Sequence, residues 1–433
     1  MFYTLPTVRS VKLTVKTIGL ILLVFGPWML SQPQASSSPV TTLFTDLDFP
    51  VSLEFAPDGR IFFNEKNTGN IRIVLQNGTL LSTPFAAISP IFTGGEAGLL
   101  GIALDPAFAS NGYVYVYFNY RDSQSYTHGR IRRYTATGNA GTSPFDLFDV
   151  TSSAPGTIYH NGGYIKFGPD GKLYAQVGEF HQGQQAQNQS STDGKMLRMN
   201  PDGSVPTDNP FPGSLVYAWG IRNAFGFDFD ASNSRLIATE AGPGSHDEIN
   251  IIVKGANYGW PTCSGVCNNL SFTDPIVDLN PVVTPTGIAT VAPNVYVFGE
   301  WNTGNTGNLI RLELSSSGSV VSMNQVYTQS GGIIAVEMGP NGRLYLTSSD
   351  GIHTYDIQSP GSTSSDPTLI ILGIVATIAA TLALVYTVIR YRSKSSSLAP
   401  PASQSSPLTT VWRAGSERSR MPAKQAKVRT MVR

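Results

Sequence analysis

Residues Phe167 to Glu179 read FGPDGKLYAQVGE: an apolar strand end, a Pro-Asp-Gly turn, then a second strand of alternating character. Proline presets the first turn dihedral and glycine takes the positive φ that closes a tight reversal, so the phrase is a hairpin signature. It recurs. Phe55 to Glu65 reads FAPDGRIFFNE, Leu104 to Phe118 reads LDPAFASNGYVYVYF, and Met338 to Ser348 reads MGPNGRLYLTS. Phe227 to Glu240, FDFDASNSRLIATE, is a degenerate copy. Where the copies can be followed they lie about 50 to 65 residues apart, and strands at Asn294–Phe298 and Leu309–Leu314 fill the widest gap. A lone hairpin cannot bury its apolar face. A repeat of this period therefore predicts an all-β fold, a six-bladed β-propeller over residues 40–358. An irregular β-sandwich with chance turn repeats is the competing architecture. No stretch of residues 40–358 carries a helical period.

Composition agrees with many short strands: 433 residues with 43 Gly, 29 Pro and only 13% charged. The zero net charge conceals segregation along the chain. Residues 390–433 hold 10 Lys+Arg and a single acid, Glu417, while residues 1–31 hold Arg9, Lys12 and Lys16 and no acid. The middle is left with 16 basic against 28 acidic residues, which excludes an electrostatic footprint for nucleic acid. Within residues 1–31, the apolar run Ile18–Leu30 behind a basic start reads as a signal peptide or an N-terminal membrane anchor. Residues 359–367 read as a linker and 368–389 as a transmembrane helix, because Leu369–Ile389 is apolar and long enough to cross a bilayer. A buried globular helix is the alternative for that segment. Arg390, Arg392 and Lys394 follow directly, which orients the basic tail, residues 390–433, to the cytoplasm and the propeller outward. Cys263 and Cys267, the only cysteines, suit a local disulfide better than a metal site, and the sequons at Asn77, Asn188 and Asn269 suit an external domain.

Loops at one end of a propeller converge, and four segments next to the repeat supply polar residues there. Gly94–Gly101 (GGEAGLLG) carries Glu96, which either caps its turn or enters a site. Tyr159–Gly163 (YHNGG) carries His160, the best candidate for acid/base work, with a hydrogen-bonded structural histidine as the alternative. His128, His181, His246 and His353 show no ligand spacing with it. Trp219–Gly226 (WGIRNAFG) carries Arg222 and Asn223; the arginine's planar fork suits an anionic ligand or a structural ion pair. Thr239–Pro261 (TEAGPGSHDEINIIVKGANYGWP) combines a Gly-Pro loop with Asp247 and Glu248. Such a loop points bare carbonyls at one spot beside carboxylates, which suits calcium, or is a turn with solvated acids.

The motifs GGEAGLLGIALDPAF, HNGGYIKFGPDGKLY, GKMLRMNPDGSVPTDNPF, WGIRNAFGFDFD and EAGPGSHDEINIIVKGANYGWP occur in an order that resembles the glucose/sorbosone dehydrogenase family, across about residues 40–357. The resemblance implies a six-bladed propeller of the soluble type of sugar dehydrogenase, with pyrroloquinoline quinone and calcium at one end of the channel. It makes His160 the base for the sugar's anomeric hydroxyl. Arg222 and Asn223 become cofactor contacts, with Glu96 standing where well-studied members have a glutamine. Gly242 and Pro243 become carbonyl ligands of a calcium at the cofactor, and Glu248 and Tyr258 ligands of a second, structural calcium. The expected activity is a membrane-anchored, extracytoplasmic oxidation of an aldose-type sugar, passing electrons to a membrane quinone or a small redox protein. One departure stands out. Where those members place a lysine and two arginines on the cofactor's carboxylates, Phe298–Gly307 (FGEWNTGNTG) and Ser330–Gly342 (SGGIIAVEMGPNG) hold no basic residue, leaving Arg311, Arg343 or another group to substitute. Hedgehog-interacting proteins in the family use the propeller for binding alone. The alternative function is therefore a non-catalytic ectodomain for a protein or glycan.

Overall fold

Three of the Pro-Asp-Gly or Pro-Asn-Gly phrases close in one way. The glycine N–H donates to the carbonyl three residues earlier, from Gly59 to Ala56, Gly171 to Gly168 and Gly342 to Gly339, at 2.9, 2.9 and 3.0 Å. Those glycines take φ of +85°, +70° and +77°, a region strained for a residue with a Cβ. The copy at Leu104–Phe118 differs: its longer turn winds into a single helical turn, Phe108–Asn111, before Gly112 reverses the chain at φ +63°. The computed structural model describes residues 39–302 and 305–357, together with parts of a helix between residues 375 and 390.

Residues 40–355 form six four-stranded antiparallel sheets, the blades of a propeller. The innermost strands are Pro50–Phe55, Leu99–Leu104, Gly162–Phe167, Ala224–Asp230, Pro285–Ala292 and Val336–Met338. Each repeat phrase joins an innermost strand to the second strand of its blade; in blade 5 the strands expected at Asn294–Phe298 and Leu309–Leu314 run instead from Val295 to Glu300 and from Thr306 to Leu314. The last blade is built from both ends of the domain, since Val40–Phe44 pairs antiparallel with Ile352–Tyr355. This closes the ring with hydrogen bonds rather than leaving an open sheet edge.

The core is divided among the seams. Six apolar clusters lie one between each neighbouring pair of blades, from Phe62, Ile71 and Phe118 between blades 1 and 2 round to Leu53, Phe63 and Tyr345 between blades 6 and 1. Each fully buried side chain of this size contributes roughly 1.5–3 kcal/mol. The innermost strands all begin at one end of the channel, where the second strands finish. That end gathers the loops around residues 94–98, 156–161, 220–223 and 241–246.

The described residues between 39 and 357 contain the whole propeller. The apolar segment at 18–30 lies outside the described residues, and so does much of Leu369–Ile389; among those described, no helix is long and apolar enough to cross a membrane. Cys263 and Cys267 form a disulfide. All three sequon asparagines are exposed.

Candidate active site

His160 stands in the loop before the innermost strand of blade 3, at φ +57° and 7% exposed. Its carbonyl approaches Gly178 so closely that a Cβ there would meet it at 2.1 Å, so only glycine allows this packing. The backbone N–H of His160 donates to Glu96 Oε2 at 2.7 Å, and Asn223 Nδ2 donates to the same oxygen at 3.0 Å. Glu96 therefore ties the loops of blades 2, 3 and 4 together.

The imidazole is held on both sides. Nδ1 lies 2.6 Å from Glu179 Oε1, and Nε2 lies 2.9 Å from Arg222 Nη2. A guanidinium only donates, so Nε2 accepts and Nδ1 carries the proton that it gives to Glu179. A lone pair is thus kept on Nε2. The arginine is fixed by Nη1 on the Ala241 carbonyl at 2.7 Å and by its backbone N–H on Glu240 Oε1, and it lies 5.4 Å from the Trp260 ring. Burial pushes its pKa below the ordinary arginine value, and the carboxylates of Glu179 and Glu240 oppose that shift. Arg222 Nε, Asn223 Oδ1 and Glu179 Oε2 are buried without a hydrogen-bond partner. Such orphaned atoms are costly unless something else satisfies them. A polar ligand with both donors and acceptors fits the first two.

The loop after blade 4's second strand continues the site. Gly242 N–H donates to Asp247 Oδ1 at 2.6 Å, and Asp247 Oδ2 takes the N–H groups of Val283 and Thr284, so this acid clamps the loop to blade 5. Among the described residues, the carbonyls of Gly242, Pro243 and Tyr258 accept no hydrogen bond. Glu248 receives Gly265 N–H on Oε1 and Asn250 Nδ2 on Oε2. Glu240 and Glu248 face a small cavity of about 10 Å³ that Gly242 and Tyr258 also line. Burial and then the neighbouring Glu248 raise the Glu240 pKa well above the usual carboxylate range; burial raises that of Glu248. Two buried acids around a space of that size, with free carbonyls beside them, fit a hard cation. The Tyr258 hydroxyl is engaged by Ile251 and Val253, so its carbonyl is the oxygen that suits a cation. Among the described residues no cluster of three or more His, Cys, Asp or Glu side chains is arranged for a metal, and ligation here would lean on backbone oxygens.

All eight residues singled out from the sequence thus fall at one end of the channel: Glu96 lines a cavity of about 400 Å³, while Arg222, Gly242, Glu248 and Tyr258 line the small one. Glu179, Glu240, Lys66, Trp260 and Trp301 were not foreseen. A signal existed for the acids, because Glu65, Glu179, Glu240 and Glu300 all sit at or just past the end of a second strand. In the sequence, His181 shows no ligand spacing with His160. Positive φ at Phe180 and His181 brings its Nε2 within 3.1 Å of His160 Nε2, which no spacing rule would reveal. Arg311 and Arg343 do not substitute for the missing cations: they pair with Glu313 and Asp356 and do not line the cavity.

Comparison with known proteins adds four findings. Residues 47–354 match the profile of the Glucose / Sorbosone dehydrogenase family. The chain is 33% identical over 269 residues to quinoprotein glucose dehydrogenase B of Acinetobacter calcoaceticus, covering 55% of each protein, so it spans about half the length of that relative. The solved PQQ-bound form of aldose sugar dehydrogenase from Streptomyces coelicolor superposes with a TM-score of 0.63 at 32% identity, covering 75% of this chain and 99% of that one. Hedgehog-interacting protein of Mus musculus is 29% identical over 217 residues, 42% of this chain and 30% of that protein.

Proposed function

The chain belongs to the glucose/sorbosone dehydrogenase family, and on that premise we propose that it oxidises an aldose-type sugar at its anomeric hydroxyl, with pyrroloquinoline quinone and calcium as its bound groups. When bound, the quinone supplies an acceptor for the hydride of the anomeric carbon, and calcium supplies positive charge that favours electron density arriving there. Arg222 and Asn223 would hold the quinone, and the carbonyls of Gly242 and Pro243 the calcium beside it. Glu240, Glu248 and Tyr258 suit a second calcium that shapes the loop.

His160 Nε2 takes the proton of the sugar hydroxyl as the hydride leaves. Glu179, 2.6 Å behind it, fixes the tautomer that keeps Nε2 unprotonated and stabilises the imidazolium that forms. The single observation that carries this reading is that relay, Glu179 to His160 to Arg222, joined through Glu96 to a cavity of ligand size. The disulfide and the exposed sequons support an extracytoplasmic setting. The apolar segment at 369–389 with its basic flank supports a membrane anchor, which would set a membrane quinone or small redox protein within reach as electron acceptor.

The test is full-length protein with calcium, the quinone, an aldose panel and a dye acceptor. Dye reduction that disappears in His160→Asn, with cofactor affinity kept, is the expected result. Absence of both binding and turnover in the wild type would refute the proposal. It would favour the second reading, a propeller that binds a protein or glycan, which the missing basic residues at 298–307 and 330–342 and the kinship with Hedgehog-interacting protein support.

A further inference from the structure

The cavity of about 400 Å³ holds one basic side chain among its lining residues, Lys66, which follows the second strand of blade 1. Lys66 is only 8% exposed. Its ammonium has three donors, yet among the described residues Nζ makes one hydrogen bond, to Asn67 Oδ1 at 3.2 Å, and no ion pair within 4 Å. Two donors of a nearly buried cation are left without a partner, facing a ligand-sized space.

The chain goes to some trouble to put it there. Lys66 N–H donates to the Phe49 carbonyl and Lys66 C=O accepts from Leu99 N–H, both at 3.1 Å, which fixes its backbone at the seam of blades 1 and 2. The stem lies across Gly98 of the GGEAGLLG loop, where a Cβ would stand 2.5 Å from Lys66 Cγ. Phe49 and Trp301, ring centroids 5.8 Å apart, wall the same cavity, and Lys66 Nζ lies 5.5 Å from the Phe49 ring. A flat aromatic acid matches these features: apolar faces against the rings, a carboxylate on the ammonium. Such an anion would also meet Glu96 in this cavity, and Lys66 is the charge placed to offset it.

Resting on the quinone reading above, we propose that Lys66 is the carboxylate-binding residue of the cofactor pocket, replacing from blade 1 the cations absent from residues 298–307 and 330–342. The grip on the anion has moved round the ring.

Calorimetric titration of the full-length protein in calcium tests this, using pyrroloquinoline quinone and its trimethyl ester as paired probes. Lys66→Met should weaken the free acid by about tenfold or more and leave the ester unchanged, while Lys66→Arg stays within about threefold of wild type. A melting temperature of the ligand-free Met variant equal to wild type excludes misfolding; if that variant fails to fold, Lys66→Gln takes its place. Equal affinity of wild type and Met or Gln variant for the acid overturns the assignment and leaves the quinone reading standing. No binding of either probe by wild type overturns both.

Discussion

At the scale of single residues, the site is defined by which atoms are satisfied and which are not. His160 is tied at its backbone, at Nδ1 and at Nε2, while Arg222 Nε, Asn223 Oδ1 and Glu179 Oε2 stay buried without partners. Glu179 acts through the histidine and touches no substrate, so it is a positioning residue. Glu179→Gln keeps the shape but offers no charge to the imidazolium, and kcat should fall roughly 10²–10³-fold with the quinone affinity little changed. An unchanged kcat would mean that the imidazole draws no assistance from the Glu179 charge. Glu54 gives a separate pH test. It faces Glu337, Lys166 and Asp228 at the other end of the channel, and burial, then the Glu337 charge, push its pKa to about 7. A raised carboxyl pKa means that the folded state holds its proton more tightly. Its contribution to stability is full below about pH 4.5 and is lost as pH rises through about 7. Glu54→Gln should therefore melt with wild type at pH 5 and above it, by about 2–4 °C, at pH 8. Wild type melting higher at pH 8 would show that the Lys166 ion pairs outweigh burial.

At the scale of the element, the hairpin phrase specified the fold because its information is local: a proline, a turn polar residue, a glycine at positive φ and an alternating strand. The loop chemistry was legible only where a motif kept its length, as in Trp219–Asp230 and Glu240–Pro261. Contacts such as His160 with His181, or Lys66 across Gly98, depend on positive φ and on which seam a loop enters, and no spacing encodes them. The strand Val40–Phe44 is the element on which ring closure rests, pairing with Ile352–Tyr355 and placing Thr42 Oγ1 3.0 Å from His353 Nδ1. Deleting residues up to 44 opens blade 6 and bares the seam packed by Leu47, Leu53 and Ile352. A loss of roughly 3 kcal/mol in denaturant unfolding is expected. A midpoint equal to wild type would show that closure does not depend on this strand.

At the scale of the whole molecule, six blades bring four loops far apart in sequence to one end of a channel, and the chemistry follows from that convergence. Charge segregation agrees: an acidic middle that carries the propeller, followed by an apolar segment and a basic tail. We propose that this convergence still makes a quinone enzyme although residues 298–307 and 330–342 hold no basic side chain. The most direct measurement is the absorbance spectrum of bound pyrroloquinoline quinone in calcium, recorded without oxygen before and after adding an aldose. Wild type should bind the quinone and reduce it within the mixing experiment, and His160→Asn should bind it and leave it oxidised. A wild-type protein that binds no quinone, or binds it and never reduces it with any aldose, would contradict the account.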